Sequence, residues 1–308
     1  MNKDFSQIIN KIAGSCKLET KSGFFKTFKW LVLANAAVVL SLAIISGGAL
    51  IAYSPFILLL GSVFPFISLL FSKSLAKKAH NIRIIDPETN DGYEKSLYEM
   101  VKSLCQKAGI EKIPEVGIYE SSDMNAFATG PSKNQSLITF SSALLNNMDE
   151  KGIAAVAAHE IAHIVNGDMI TMSIVQSVVN AFTLLITIPL SFIKIFALFS
   201  DQVDALAYLF ISFVKFIITS IVLFLGNLVV MAFSRKREFE ADKLAAYLLD
   251  KNYMIHALKI LSQDTVTFPK EQKAYAAFKI NAPSALFDIF STHPSIERRI
   301  ERLEKLEL

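Results

Sequence analysis

His159-Glu160-Ile161-Ala162-His163 is flanked, from Lys151 to Val165, by apolar residues at helical spacing with no proline among them. That spacing predicts a helix. On a helix, residues i and i+4 lie one turn apart on the same face, so both imidazoles can converge on a single metal ion. Glu160 follows the first of them and can reach the ion's open coordination position, where a carboxylate acts as general base toward a bound water. Only five histidines occur in the 308 residues, and two fall here around that acid. An ordinary surface helix would leave that coincidence unexplained.

The composition sets the surroundings. Hydrophobic residues make up 52% of the chain and the mean hydropathy is +0.42, too apolar for an ordinary soluble protein and pointing to membrane spans. The net charge of +3 is mild, and the basic residues gather beside apolar runs. No nucleic-acid face is implied. The two cysteines, Cys16 and Cys105, form neither a disulfide framework nor a zinc knuckle. Free thiols in a reducing compartment follow as the expectation.

Taken in order, the chain divides into five segments. Residues 1–29 are polar and lysine-bearing, with Phe5, Ile8, Ile9 and Ile12 at helical spacing. That predicts a short amphipathic helix, on a membrane surface or against a soluble partner. Residues 30–71 hold two apolar runs, Trp30–Tyr53 and Pro55–Phe71, with Pro65 expected to kink the second. At about 1.5 Å per residue the first can cross a hydrocarbon core of roughly 30 Å. It starts too late and runs too long for a cleaved secretory signal, so an anchor is expected. Residues 72–168 are polar enough to face water. There Leu97, Met100, Val101, Leu104 and Ala108 mark one helix face, and strands are expected at Val116–Tyr119, Asn125–Thr129 and Leu137–Phe140. Gly130 to Asn134 reads as a turn, and Ser141 and Asp149 as helix caps. Residues 169–233 form a second apolar hairpin, Met169–Phe199 and Ala205–Phe233, with Lys215 inside its second run but close enough to the outer boundary to snorkel. Residues 234–308 return to water as mostly helical structure, broken at Asn281-Ala282-Pro283 and His293-Pro294.

Charge asymmetry orients the four spans. Lys21, Lys26 and Lys29, then Lys73, Lys77 and Lys78, then Arg235, Lys236 and Arg237 flank one side, whereas the other offers Lys194 beside Asp201 and Asp204. The positive side is cytoplasmic, which puts both termini and residues 72–168 in the cytoplasm, on a multi-pass protein of the inner membrane.

Two histidines are one short of the three protein ligands usual at a catalytic zinc. The extended motif HExxHxxGxxH is excluded, because Asn166 and Met169 occupy its last two positions. The missing ligand must lie on the same side of the membrane, and two crossings return the chain there before residue 234. Glu238 and Asp242 are four apart and share a helix face, while Glu240 points elsewhere. Glu238 is therefore the candidate third ligand, and Asp242 a carboxylate that can accept a hydrogen bond from a ligand imidazole. His293 is the competing ligand; His80 and His256 read as surface or packing residues.

His159-Glu160-x-x-His163-x-x-Asn166-Gly167-Asp168-Met169, Asn125-Ala126-Phe127-Ala128-Thr129-Gly130, the 234–242 stretch and His293-Pro294 through Arg299-Ile300 together resemble the HtpX-type membrane metallopeptidases. These are gluzincins related more distantly to the CAAX prenyl endopeptidases. One departure is Ser295, where the family usually has a second proline. The resemblance implies a mainly α membrane protein with four transmembrane helices and a cytoplasmic α+β zincin-like domain containing a small sheet. It implies one Zn2+ per chain on His159, His163 and Glu238, with Glu160 as the catalytic acid and base. Asn125, Ala126 and Phe127 would lie on an edge strand along which substrate binds, with His293 and Arg299 facing the scissile carbonyl. The implied activity is hydrolysis of membrane or membrane-adjacent polypeptides in quality control and stress response.

Two other readings are weaker. A prenyl-protein endopeptidase is disfavoured by four spans, fewer than that branch has. A catalytically silent membrane scaffold needs no general base such as Glu160, since structural zinc sites are closed and cysteine-rich.

Overall fold

The computed structural model describes residues 3–13, 54–199, 205–264 and 293–307. Its elements in order are α1 (Ser6–Ala13), α2 (Ser54–Ala79), β1 (Arg83–Ile84), α3 (Gly92–Lys107), β2 (Glu115–Tyr119), β3 (Ala126–Ser132), β4 (Gln135–Ser141), α4 (Ser142–Asn147), α5 (Glu150–Asn166), α6 (Asp168–Leu198), α7 (Ala205–Leu248), α8 (Lys251–Asp264) and α9 (Ile296–Glu304). The fold is mostly helical with one small mixed sheet. The expected run Trp30–Tyr53, Cys16 and the break at Asn281-Ala282-Pro283 lie outside the described residues. The described residues sort into two units, one drawn from 1–23, 69–170 and 233–308, the other from 24–68 and 171–232.

In the first unit the strand order is β1-β2-β4-β3, with β2 parallel to β4 and the other pairs antiparallel. All three expected strands form, and β3 is an edge. The turn between β3 and β4 is tighter than Gly130 to Asn134, because the strands run on to Ser132 and back from Gln135 through a bulge. Gly130 makes that possible: its φ is 141°, and a Cβ there would lie 2.2 Å from the Gln135 carbonyl oxygen.

The sheet packs against α5, which is buried nearly all round. Ala154, Ala155, Ala157, Ala158 and Ala162 leave room for β3, β4, α3 and α8 to close on the helix. Both ends are tied. The Asp149 carboxylate accepts the Gly152 N–H at 2.9 Å, and Gly167, at φ 69°, ends the helix in the left-handed region before α6 begins. The Ser141 hydroxyl likewise caps α4, accepting the Leu144 N–H at 3.1 Å. Leu97, Met100, Val101, Leu104 and Ala108 are buried, as their spacing predicts.

Helix α1 forms, but its apolar stripe is not laid on lipid. Phe5, Ile8 and Ile12 are buried in the core of this unit, where α1 packs on α3, and the Lys3 ammonium donates to the Leu145 and Met148 carbonyls at the end of α4. Amphipathic spacing reveals a face to be covered, not what covers it. Helix α2 runs past Phe71, carrying Lys73 and Lys77 to within 2.9 and 2.5 Å of the Glu115 carboxylate. His80 sits beside the Tyr119 and Phe127 rings, His256 pairs with Asp149 at 2.9 Å, and Cys105 is a buried free thiol.

In the second unit, α6 and α7 supply helices over Asp168–Ile188 and Ala205–Leu248 that are long and apolar enough to cross a membrane. Lys215 does not end in open surroundings: its Nζ donates to Ser191 Oγ at 2.7 Å.

The docking of α1 gives a testable consequence. Phe5→Ala should destabilise the detergent-solubilised chain by about 3–5 kcal/mol, as emptying a full aromatic site does, read as a lowered unfolding midpoint. A Phe5 that merely touched lipid would leave the midpoint unchanged.

Candidate metal centre

Helix α5 presents His159 and His163 side by side, ring centroids 4.7 Å apart and planes 87° to one another. Their Nε2 atoms lie 3.1 Å apart. Glu238, on α7, faces both: Oε2 is 3.5 Å from His159 Nε2 and Oε1 is 3.5 Å from His163 Nε2. One ligand atom from each of the three residues falls within 4.8 Å of the others. Residues far apart in sequence thus meet at one point.

A carboxylate stands on the far side of each imidazole, and an arginine holds each carboxylate. His159 Nδ1 lies 3.0 Å from Asp242 Oδ1, and Asp242 takes Arg299 Nε at 2.8 Å and Nη2 at 2.6 Å. His163 Nδ1 lies 2.5 Å from Asp168 Oδ2, and Asp168 Oδ1 takes Arg237 Nη2 at 2.6 Å. Asp168, Arg237, Asp242 and Arg299 are all buried. The first set contains the expected Asp242. The Arg299 guanidinium spans Asp242, with Nη1 3.5 Å from Glu238 Oε2.

Asp168 and Arg237 were not singled out by sequence reasoning. A signal existed for Asp168, since it directly follows Gly167, where the chain turns out of α5 and can bring a short carboxylate back to His163. Arg237 is hidden among charges that membrane topology alone would explain.

The donors fit a divalent cation. When both Nδ1 atoms carry protons toward carboxylates, both Nε2 atoms are bare lone pairs facing each other and a third carboxylate. Only a positive charge relieves that. Glu238 Oε2 is buried and makes no well-aligned hydrogen bond among the described residues, although His293 Nδ1 lies 3.1 Å away. The electrostatics agree. Burial alone would depress the His159 imidazole, but Asp242 and Glu238 outweigh it and its pKa rises. Burial would raise Glu238, yet His159, His163 and His293 drive it far below the carboxylate range. Two nitrogens and one oxygen with a further open position are a donor set suited to zinc.

Glu160 is half-buried beside this cluster, and burial, with help from the Glu238 charge, pushes its pKa up against the opposing pull of both histidines and the Ala128 N–H. That N–H belongs to β3, so the acid touches the edge strand. Ala126 and Phe127 lie on β3; Asn125 stands just before it, its N–H and C=O both engaged by Ser141. His293 is the most open of the group, with its side chain 65% exposed.

Comparison with known proteins gives the family. Residues 93–307 match peptidase family M48. A "Protease HtpX homolog" of Bacillus licheniformis is 43% identical over 260 residues, covering 83% of this chain and 85% of that protein. One from Fusobacterium nucleatum is 35% identical over 313 residues, covering 99% and 98%. The crystal structure of S. mikatae Ste24p resembles the fold with a TM-score of 0.58 at 18% identity, over 89% of this chain and 66% of that one. The match to M48 spans most of the chain and the two HtpX relatives each align over more than four fifths of both proteins, so the chain belongs to peptidase family M48, among its HtpX-type metallopeptidases.

Proposed function

We propose that the chain is an integral membrane zinc endopeptidase that cuts membrane or membrane-adjacent polypeptides at the cytoplasmic face, in membrane-protein quality control and stress response. The observation that carries this is the meeting of two imidazole Nε2 atoms and the Glu238 carboxylate beside Glu160. Two apolar helices separate His163 from Glu238 in sequence, and an even number of crossings is what returns the chain to one side. With the positive-inside asymmetry, that supports four spans, residues 72–168 and 234–308 forming the cytoplasmic domain.

A zinc ion on His159, His163 and Glu238 would lower the pKa of a water in its open position and polarise the scissile carbonyl. Glu160, beside these three residues, would serve as general base toward the attacking water and then as general acid toward the leaving amine. Its pKa is raised by burial, the direction that favours a group which must hold a proton for part of the cycle. His293, open on one side and close to Glu238, is placed to donate to the developing oxyanion. Asp242 positions His159, and Arg299, which holds Asp242 and lies 3.5 Å from Glu238, would face the scissile carbonyl from beside the cluster. A substrate laid beside β3 would pair with the backbone of that edge strand, which recognises an extended chain more than a sequence.

Replacing Glu160→Gln should leave one zinc per chain while casein digestion by the purified protein falls roughly a hundredfold to ten-thousandfold; full activity in that variant would remove Glu160 from the mechanism. A chelator should abolish digestion and added zinc restore it, and Glu238→Ala should lose the metal. Zinc retained at one per chain by Glu238→Ala would point to a different third ligand. Efficient cleavage of a farnesylated peptide with none of casein would favour a prenyl-protein endopeptidase instead.

A further inference from the structure

Arg237 stands in a basic run that membrane orientation would account for, yet it does not behave as its neighbours do. Lys236 is exposed and Arg235 half-buried, whereas Arg237 is 6% exposed. A guanidinium so enclosed cannot serve lipid headgroups. Instead it grips Asp168 twice, Nη2 on carboxylate Oδ1 at 2.6 Å and Nη1 on the backbone carbonyl at 2.5 Å. The remaining carboxylate oxygen, Oδ2, faces His163 Nδ1 at 2.5 Å. Arg237 also immediately precedes Glu238 on α7. Anchoring this one side chain to the junction of α5 and α6 therefore limits both the sliding and the rotation of α7 at the point where Glu238 leaves it.

We propose that Arg237 is a positioning residue of the metal centre, fixing the orientation of His163 through Asp168 and the reach of Glu238 through the helix they share. Two of the three metal ligands then depend on one guanidinium. Arginine suits this where lysine does not, since a planar fork can bond a carboxylate and a carbonyl together while an ammonium is a point charge. Arg299 makes the matching contact for His159 from α9, with both bonds on the Asp242 carboxylate. Arg299 also reaches a second ligand, its Nη1 lying 3.5 Å from Glu238 Oε2, but it does so from a helix that carries no ligand, whereas Arg237 shares its helix with Glu238 and is anchored at the end of the helix that carries His163.

The inference rests on His159, His163 and Glu238 being the ligands, and its test separates the two ideas. Zinc affinity of the full chain in detergent is measured by competition with a chromogenic chelator, together with the visible spectrum of the Co2+-loaded protein. Arg237→Ala should weaken zinc roughly 10–100-fold, as loss of an outer support does, and should alter the Co2+ spectrum. Arg237→Lys should fall between that variant and the wild type. In an Asp168→Asn background, Arg237→Ala should add a much smaller loss than it causes alone. Wild-type zinc affinity in Arg237→Ala would overturn the role, and so would an undiminished extra loss in the Asp168→Asn background. Should Arg237→Ala not fold, Arg237→Lys decides: affinity and spectrum equal to wild type would overturn the twofold grip. A wild-type chain that binds no zinc would overturn the ligand assignment itself.

Discussion

Two imidazole nitrogens held 3.1 Å apart, with a carboxylate across from both, are an arrangement that repels itself unless a proton or a metal cation lies among them. The charges around it show how far the fold goes to maintain that condition. Asp168 cancels Arg237 and Asp242 cancels Arg299, so these four buried groups are neutral in pairs. With both imidazoles neutral, Glu238 and an ionised Glu160 remain, two negative charges that a divalent ion would balance. Buried ion pairs are poor sources of net stability, because the desolvation of each partner offsets their attraction. Their value here lies in orientation, and removing one member would strand its partner in a dry place.

The packing around α5 follows from the same need. A helix that must bring imidazoles and a general base against a strand cannot carry large side chains toward that strand, and this one is built on alanine. Close approach packs the helix that carries Glu160 against the edge strand. Polar backbone left unpaired on an edge invites pairing with another chain. At the far end of β3, the bulge at Gly130 breaks the regular ladder and limits how much of that edge can be extended.

What could be read from the sequence divides along the distance between interacting residues. The HExxH helix, its cap at Asp149, and the buried face of α3 are local patterns, and they are as the sequence predicts. Glu238 needed a different argument, a carboxylate on a helix lying an even number of crossings away. Asp242 then followed as its neighbour one turn on. No such pattern reaches Arg299, whose partner is 57 residues distant, or Arg237, whose hydrogen bond to Asp168 spans 69. A long-range ion pair leaves no periodicity in either segment. Arg237 was further masked by company, since Arg235, Lys236 and Arg237 look alike until burial distinguishes them. For α1 the reverse holds: the amphipathic signal was clear, but a core and a lipid surface satisfy it equally.

The character of β3 bears on the kind of substrate such a centre would select. Recognition through an edge strand reads N–H and C=O groups, which every residue supplies, so discrimination falls on whether a segment can be extended rather than on its side chains. A folded soluble domain has few segments free to pair in this way, because its backbone groups are already satisfied. In a bilayer the constraint is stronger still, since a spanning helix holds all its backbone bonds internally. A segment near the membrane that is both unpaired and extended is therefore one that has failed to insert or to fold. For a peptidase of this design, weak sequence preference and selection for unpaired, extended segments would be the same property seen at two scales.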